Sequence, residues 1–387
     1  METINFMKVM LFILCLCFLA LTPSTLNAQS VVVPVSQTPG FKQTASIKSG
    51  AGRLHVVYDN TVGELQSVFY QQSVDGGVSY LPPVRVSPPD IVNFTPDVAI
   101  SPSGAIYVVW SGIFNQGRAI LISRSTNGGA SFSAPQAIST GRFGQTPKIN
   151  ISQNGIIYVT YFDSNSNGTT SGTYITSLQE TAFPIASRPG LISNAGAFSE
   201  QTSVLFDSQQ NIYIVYGDSN TGISYLVTAN SSGRNFSLPM PIATGSPNFA
   251  THATAFIDGQ DNIYVAANTG PTGGFNIYFT KSTDKGRTFS TPQIIPNSFA
   301  GSSPVIAMSR SGLIVSWTEL LDPLKIVSVK STNGGTTFGA KTVLSSNTLN
   351  RSFNSAATIN RGTAFFCWVS EVGEPGSDTN VFSTAIQ

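Results

Sequence analysis

Acidic residues follow aromatic residues at one recurring point, just after a series of apolar stretches. These stretches end, in chain order, in Tyr58-Asp59, Trp110-Ser111, Tyr161-Phe162-Asp163, Tyr216-Gly217-Asp218, Asn268, Trp317-Thr318-Glu319 and Trp368-Val369-Ser370-Glu371. An aromatic ring can cover the apolar C–H face of a sugar, and a carboxylate can accept hydrogen bonds from its hydroxyl groups. The set therefore predicts a sugar-binding surface. In the alternative, each aromatic is the last core residue of a strand and each acid is a solvated turn residue.

The apolar stretches are the elements that must position these residues. They begin at Gly52, Gly104, Gly155, Asn211, Asn262, Gly312 and Gly362. Each is apolar on both faces, as a strand packed between two neighbouring sheets must be. A period of about fifty residues, made of several short strands, is typical of a β-propeller. Seven copies predict an all-β fold with seven blades.

Each unit divides into four antiparallel strands, which we call A to D in chain order; the apolar stretch is strand B. Unit seven ends at strand C, near Val381, and lacks strand D. The surplus strand lies at the front, in Ser30–Ser36. We expect it to pair with the last strand, which would close the ring and leave no exposed seam. No linker interrupts residues 29–387, which we therefore expect to form a single domain.

A second phrase recurs between strands C and D. It reads Ser-x-Asp/Asn-x-Gly-x-x-aromatic, with its acid or amide at Asp75, Asn127, Asp284 and Asn333. A weaker copy ends at Phe236, and unit three has lost the phrase. Asp and Asn side chains accept hydrogen bonds from their own turn, and glycine adopts positive φ without steric cost. We expect a structural role, since asparagine replaces aspartate at two of the positions.

This phrase resembles the Asp-box, or BNR repeat, of sialidases and related β-propellers. The resemblance implies the propeller fold and, for sialidases, an active site with three arginines, a tyrosine nucleophile and two acids. The family's first arginine lies in an aromatic-Arg-Ile-Pro phrase that is absent here; Gly40-Phe41-Lys42 has lysine instead. Only Arg118, Arg142 and Arg351 map to the expected ligand face. Sialidases also have six blades, whereas seven units are counted here. Because the arginine phrase is missing, the resemblance covers the fold but not the active site.

The expected ligand face is formed by the B-to-C loops and the D-to-A crossovers. The candidate ligand-binding residues on it are Asp59, Trp110, Arg142, Asp163, Asp218, His252, Trp317, Glu319, Arg351, Trp368 and Glu371. Units six, seven and one adjoin around the ring, so their tryptophans and acids are expected to form one arc. The arc predicts a neutral or weakly basic glycan, or an extended peptide, as ligand.

A phenylalanine also precedes strand A in every unit, at Phe41, Phe94, Phe143, Phe198, Phe249, Phe299 and Phe353. Packing between adjacent blades is the expectation for this set, and a stacking platform for ligand is the alternative. Neither the two histidines nor the cysteines have metal-ligand spacing, so we expect no metal and no cofactor. Cys367, in an apolar run, is expected to be an inert core residue.

The start of the chain predicts export. Residues 1–28 read as a signal peptide, with Lys8 before an apolar segment that is too short for a confident membrane span. A net charge of +1 gives no electrostatic case for nucleic acid as partner. We expect a secreted, periplasmic or cell-surface monomer that binds a glycan or an extracellular protein. A non-catalytic binding role is favoured over catalysis. The alternative is a sialidase-like glycoside hydrolase with a rearranged active site.

Overall fold

The computed structural model describes residues 31–89, 92–114, 117–140, 143–164, 170–199, 201–242, 249–269, 275–345, 351–373 and 378–387. Residues 114, 249–251, 269 and 354 are described by their backbone alone. The expected signal peptide and Arg142 lie outside these ranges. Within them, 28 strands form seven four-stranded antiparallel sheets. The all-β, seven-bladed propeller expected from the repeat is confirmed.

Blades 1 to 4 follow one another along the chain. Blade 1 contains β2 (Ala45–Gly50), β3 (Arg53–Val62), β4 (Leu65–Ser73) and β5 (Val84–Arg85). Blade 2 contains β6 (Asn93–Ile100), β7 (Ile106–Phe114), β8 (Gly117–Ser125) and β9 (Gln136–Ala137). Blade 3 contains β10 (Gln145–Ile151), β11 (Ile156–Ser164), β12 (Ser171–Gln179) and β13 (Gly190–Leu191). Blade 4 contains β14 (Thr202–Phe206), β15 (Ile212–Asp218), β16 (Ile223–Ala229) and β17 (Met240–Pro241).

Blades 5 to 7 complete the ring. Blade 5 contains β18 (Phe249–Ile257), β19 (Ile263–Thr269), β20 (Ile277–Ser282) and β21 (Gln293–Ile294). Blade 6 contains β22 (Gly301–Ser309), β23 (Gly312–Glu319), β24 (Lys325–Ser331) and β25 (Thr342–Val343). Blade 7 contains β26 (Ser352–Asn360), β27 (Thr363–Glu371), β28 (Thr379–Ile386) and, from the start of the chain, β1 (Val33–Ser36).

The N-terminal strand closes the ring, as expected. Strand β1 pairs antiparallel with β28, with Val33 opposite Ser383 and Ser36 opposite Val381. Val35 is buried in the apolar cluster that joins blade 7 to blade 1. The last blade therefore has its fourth strand, and no sheet edge is left open at the seam.

The apolar core lies between successive blades. One cluster combines Tyr107 and Val109 of blade 2 with Val159 and Tyr161 of blade 3, and all four side chains are buried. Strand B supplies most of these residues because it has a neighbouring strand on both sides and a blade on both faces. Cys367 lies in the corresponding cluster between blades 7 and 1 and is fully buried, so the expectation of a core cysteine is confirmed.

The Ser-x-Asp/Asn turns are held by their own side chains. In blade 1, the Ser73 hydroxyl donates to Asp75 Oδ1 at 2.7 Å, and the backbone N–H of Ser79 donates to the same oxygen at 3.0 Å. Asn333 accepts from Ser331 Oγ at 2.8 Å and from Thr337 N–H at 2.9 Å. The amide thus makes the same bonds as the carboxylate.

Blade 3 replaces this turn with a short 3-10 helix, Glu180–Ala182, followed by Phe183. Phe183 packs edge-to-face on Tyr107 of blade 2, with ring centroids 5.5 Å apart. In other blades the turn's own aromatic makes this contact, as Phe132 does on Tyr70 at 5.3 Å. Blade 3 has therefore lost the phrase but kept an aromatic contact to the preceding blade.

Among the described residues, no helix is both long enough and apolar enough to span a membrane.

Candidate functional site

The acids that follow strand B are buried and bind the backbone of the crossovers. Thr44 N–H donates to Asp59 Oδ1 at 2.7 Å, Phe143 N–H donates to Asp163 Oδ1 at 3.0 Å, and Phe198 N–H donates to Asp218 Oδ1 at 3.3 Å. In each case the acid of one blade holds the segment that leads into that blade's own strand A. The expectation of a solvent-facing, sugar-binding carboxylate is wrong for these three side chains, because each is at most 2% exposed.

Asp59 is the most enclosed of the three. Its Oδ1 also accepts from the Thr44 hydroxyl, and its Oδ2 accepts from the Gln66 amide. Burial raises the pKa of Asp59, and these donors partly offset that effect by stabilising the charged form. Asp59 is thus a structural carboxylate that holds the crossover.

The three tryptophans are core residues. Trp110, Trp317 and Trp368 are all 0% exposed. The indole N–H of Trp110 donates to Asn93 Oδ1 at 2.7 Å, and that of Trp368 donates to Ser370 Oγ at 3.1 Å. The expected stacking surface on the arc of blades 6, 7 and 1 is therefore wrong, since strand B holds each indole between two blades.

The acids of that arc are engaged with basic residues of the same chain. Glu319 is paired with Lys341, and Glu371 Oε1 lies 4.0 Å from Arg351 Nη1. Both carboxylates are buried, at 8% and 4% exposed. They are therefore poorly placed to accept hydrogen bonds from a ligand on the surface.

Three basic residues near the crossovers, Arg118, Arg351 and Lys42, contact other groups of the same chain. Arg118 lies over the Phe94 ring, 4.5 Å from its centroid, and Arg351 faces Glu371. Lys42 is fully buried and donates to the Gly40 carbonyl at 3.0 Å. Burial lowers the pKa of Lys42 to about 8. Arg118 and Arg351 therefore do not form a carboxylate-binding group at the channel.

Among the candidates, His252 lines a cavity at the centre of the ring. Strand A of each blade faces a central channel of about 410 Å³, and this opens through a mouth of about 230 Å³ on the crossover face. The mouth is lined by Thr44, Ala45, Thr95, Pro96, Gln145, Thr146, Pro147, Lys148, Phe162, Phe198, Gln201, His252, Ser303 and Ser355. All seven blades contribute, and Lys148, Gln201 and Ser355 extend into the channel itself.

The backbone is strained around this mouth. Thr95, Thr146 and Ser303 have φ values of 48°, 46° and 50°, the left-handed region that costs a non-glycine residue about 1–2 kcal/mol. Each precedes a proline, and each lies where the pairing of strand A with strand B shifts register. Such bulges commonly redirect side chains beside functional sites.

Three polar atoms at the mouth are buried and have no partner among the described residues: Thr95 Oγ1, Gln201 Oε1 and Ser355 Oγ. An unsatisfied buried polar group costs about 1–3 kcal/mol. The cost disappears if a water or a ligand hydroxyl in the cavity completes the bonds. The rings of Phe162 and Phe198, with centroids 4.8 Å apart, add an apolar wall.

The crossover phenylalanines differ in their environments. Phe143 is 55% exposed and Phe299 is 61% exposed, so the expectation of packing between blades is wrong for these two. Phe198, before blade 4, packs on Phe162 of blade 3, as expected for packing between blades. Phe94 is covered by Arg118 of its own blade, so this contact does not join two blades.

Sequence reasoning missed the hydroxyl and amide groups at the mouth. Thr95, Gln201 and Ser355 are of residue types that are common on protein surfaces, so their types alone do not distinguish them from turn residues. A Thr-Pro or Ser-Pro pair recurs near the start of strand A, in Thr95-Pro96, Thr146-Pro147 and Ser303-Pro304, and this signal could have found Thr95 but not Gln201 or Ser355.

Comparison with solved structures identifies the architecture. A PL25 ulvan lyase, a polysaccharide lyase, matches with a TM-score of 0.67 at 12% identity, over 91% of this chain and 95% of its own. The fold is that of the sialidase-like β-propellers. The Hadza microbial sialidase Hz136 matches with a TM-score of 0.57 at 12% identity, over 90% of this chain and 66% of its own.

A protein of unknown function from Dyadobacter fermentans DSM 18053 also has this fold. It matches with a TM-score of 0.57 at 12% identity, over 92% of this chain and 97% of its own. No family model and no curated protein matches the sequence. At this level of identity the likeness concerns the fold, and activity must be argued from the residues of the site.

Proposed function

We propose that this chain is an exported propeller that binds a glycan at the mouth of its central channel. The observation that carries the proposal is the set of unpartnered buried oxygens of Thr95, Gln201 and Ser355 in one cavity. A glycan has hydroxyl groups that can serve as both donors and acceptors, so it can complete all three. The glycan-active enzymes among the proteins of this fold support the same ligand class.

The residue types at the mouth favour binding over turnover. Sialidase chemistry requires arginines for the sugar carboxylate, a tyrosine nucleophile and acids. Within the described lining of the mouth, none of these residue types is present. Asp97, deeper in the channel, accepts from Ser46 Oγ at 2.5 Å and from Ile149 N–H at 2.9 Å, so both its oxygens are engaged. A sialidase-like hydrolase with a rearranged site remains the competing proposal.

A protein ligand is the second candidate, and exposed apolar side chains favour it. Phe143 and Phe299 lie on the crossover face, and Leu320 and Leu321, at 42% and 50% exposed, follow strand B of blade 6 on the same face. Replacing Phe143 and Phe299 by serine would weaken binding of a protein partner. Binding of a small glycan at the mouth should be little affected by the same change.

A glycan array probed with the purified exported chain tests the proposal, beside a fluorogenic sialoside assay for turnover. For the best glycan, Gln201→Leu and Ser355→Ala should each raise the Kd about tenfold, because each removes a hydrogen bond worth about 1–1.5 kcal/mol. Gln209→Leu, an exposed position in an A-to-B turn on the opposite face, is the matched control. The proposal fails if no glycan binds, if Gln201→Leu and Ser355→Ala both bind like the parent chain, or if the Gln209→Leu control weakens binding as much as they do.

A further inference from the structure

A groove of about 590 Å³ lies between the outer strands of blade 3 and the C-to-D turn of blade 4. Ser177, Ser187, Arg188, Gly190 and Leu191 line it from blade 3. Ser232, Gly233, Arg234 and Phe236 line it from blade 4. Since strands C and D are far from the inner strand A in each sheet, this groove is separate from the channel mouth.

In blades 1 and 5, a long side chain from strand C spans the corresponding groove. In blade 1, Gln72 Nε2 donates to the Gly128 carbonyl in the turn of blade 2, at 2.9 Å. In blade 5, Lys281 Nζ donates to the Gly334 carbonyl in the turn of blade 6, at 3.0 Å. Each bond joins two blades and fills the space between them.

Blade 3 has short residues at these positions. Ser177 pairs with Tyr158 as Gln72 pairs with His55, so Ser177 is the counterpart of Gln72. On strand D, Gln293 of blade 5 reaches the Gly335 carbonyl, and its counterpart in blade 3 is Gly190. Neither the serine nor the glycine can span the groove, which therefore remains open.

The open groove has a defined chemistry. Within the described part of the chain, no group donates to the carbonyls of Ser232 and Gly233, the counterparts of Gly334 and Gly335. Arg188 and Arg234 are exposed, and neither has an ion-pair partner among the described residues. Leu191 and Phe236 supply apolar surface beside them.

We propose that this groove is a second binding site and that it takes an acidic glycan. Guanidinium groups bind carboxylate or sulfate through paired hydrogen bonds. Sugar hydroxyls can donate to the two free carbonyls, and the C–H face of a sugar ring can lie on Phe236. One acidic glycan offers all three features at once. The site is independent of the one proposed at the channel mouth.

Calorimetric titration of the purified exported chain tests the site with three probes. These are a sulfated heparin-derived hexasaccharide, neutral maltohexaose and hexaglutamate. We expect the sulfated probe to bind and the other two to bind at least tenfold more weakly. Arg188→Ala combined with Arg234→Ala should raise the Kd of the sulfated probe at least tenfold, because it removes both guanidinium groups.

A second variant distinguishes the groove from general surface charge. Ser177→Gln combined with Gly190→Gln gives blade 3 long side chains like those that close the grooves beside blades 1 and 5. This variant should raise the Kd of the sulfated probe as much as the double arginine variant does, without lowering the Tm. A Cβ at Gly190 meets no atom within 4 Å, so the fold should accept this change.

Arg287→Ala is the matched control, since Arg287 follows the turn glycine of blade 5 as Arg234 follows that of blade 4. Arg287→Ala should change the Kd of the sulfated probe less than twofold. Gln201→Leu at the channel mouth should also leave this Kd unchanged. The proposal is overturned if the sulfated probe does not bind, if the double arginine variant binds it normally, if closing the groove has no effect, or if the Arg287 control weakens binding as much. Equal affinity for hexaglutamate would overturn the assignment to a glycan.

Discussion

His55 should make the protein sensitive to mild acid. It lies on β3 with only 2% of its surface exposed; its Nδ1 is 2.7 Å from the Tyr70 hydroxyl and its Nε2 is 3.2 Å from the Gly50 carbonyl. A neutral ring satisfies both contacts, since Nε2–H can donate to the carbonyl while Nδ1 accepts from the hydroxyl. Burial lowers the pKa of His55 to about 4, and the nearby charge of Arg53 acts in the same direction.

The sign and size of the effect follow from linkage. Below its ordinary pKa of 6.5, His55 binds a proton in the unfolded chain but not in the folded one. Stability is therefore lost as the pH falls from about 6.5 toward 4. Between about pH 7.5 and pH 5, the free energy of unfolding should fall by about 2 kcal/mol because of this one residue.

Other groups titrate nearby, so the test must compare variants. Burial raises the pKa of Asp59, so this residue adds stability as the pH falls and opposes the effect of His55. Hydrogen bonds lower the pKa of Asp284 to about 2, so its contribution to stability is lost at a lower pH than that of His55. His55→Gln removes the titrating group and keeps a hydrogen-bonding side chain. Urea unfolding at both pH values should show that the parent chain loses about 2 kcal/mol more than the variant. Equal losses in the two proteins would refute the assignment of a neutral, buried His55.

Three further predictions concern the fold. Deleting residues 29–37 removes β1 and opens an edge in blade 7, so the Tm should fall sharply or the protein should aggregate; an unchanged Tm and a monomeric profile would refute the closure. Acrylamide should quench none of the three tryptophans in the folded chain, and quenching at the free-indole rate would contradict their burial. Gly335→Ala, whose Cβ would lie 2.2 Å from the Phe279 ring, should cost at least about 3 kcal/mol in the free energy of unfolding. Its control is Gly334→Ala, which also has positive φ but whose Cβ would lie no closer than 3.9 Å to any atom beyond its two chain neighbours. It should cost about 1 kcal/mol, and equal costs would refute the packing argument.

The repeat made the fold predictable because strand B depends on local composition. A run such as that ending in Trp317 must be buried on both faces, and seven such runs require seven blades. Ring closure followed from counting strands, since unit seven lacked a fourth strand beside β28 and β1 belonged to no other unit. These inferences need only the order of the elements along the chain.

The site was harder because it depends on which backbone groups the acids meet. Asp163 reads as a surface carboxylate in the sequence, yet the crossover brings Phe143 N–H within 3.0 Å of it. That contact joins residues twenty positions apart at the open end of the β10–β11 hairpin, and it depends on the path of the crossover before β10 rather than on a local sequence pattern. Conversely, Gln201 and Ser355 have no distinctive neighbours in the sequence and become candidates only because strand A places them in one cavity.

The crystal structure of the chain with the tightest-binding neutral glycan from the array would test the central claim most directly. The account predicts a sugar in the channel mouth with its hydroxyl groups bonded to Thr95 Oγ1, Gln201 Oε1 and Ser355 Oγ. A glycan bound on the B-to-C loops of blades 6, 7 and 1, or an empty mouth in a crystal whose glycan lies elsewhere, would contradict it.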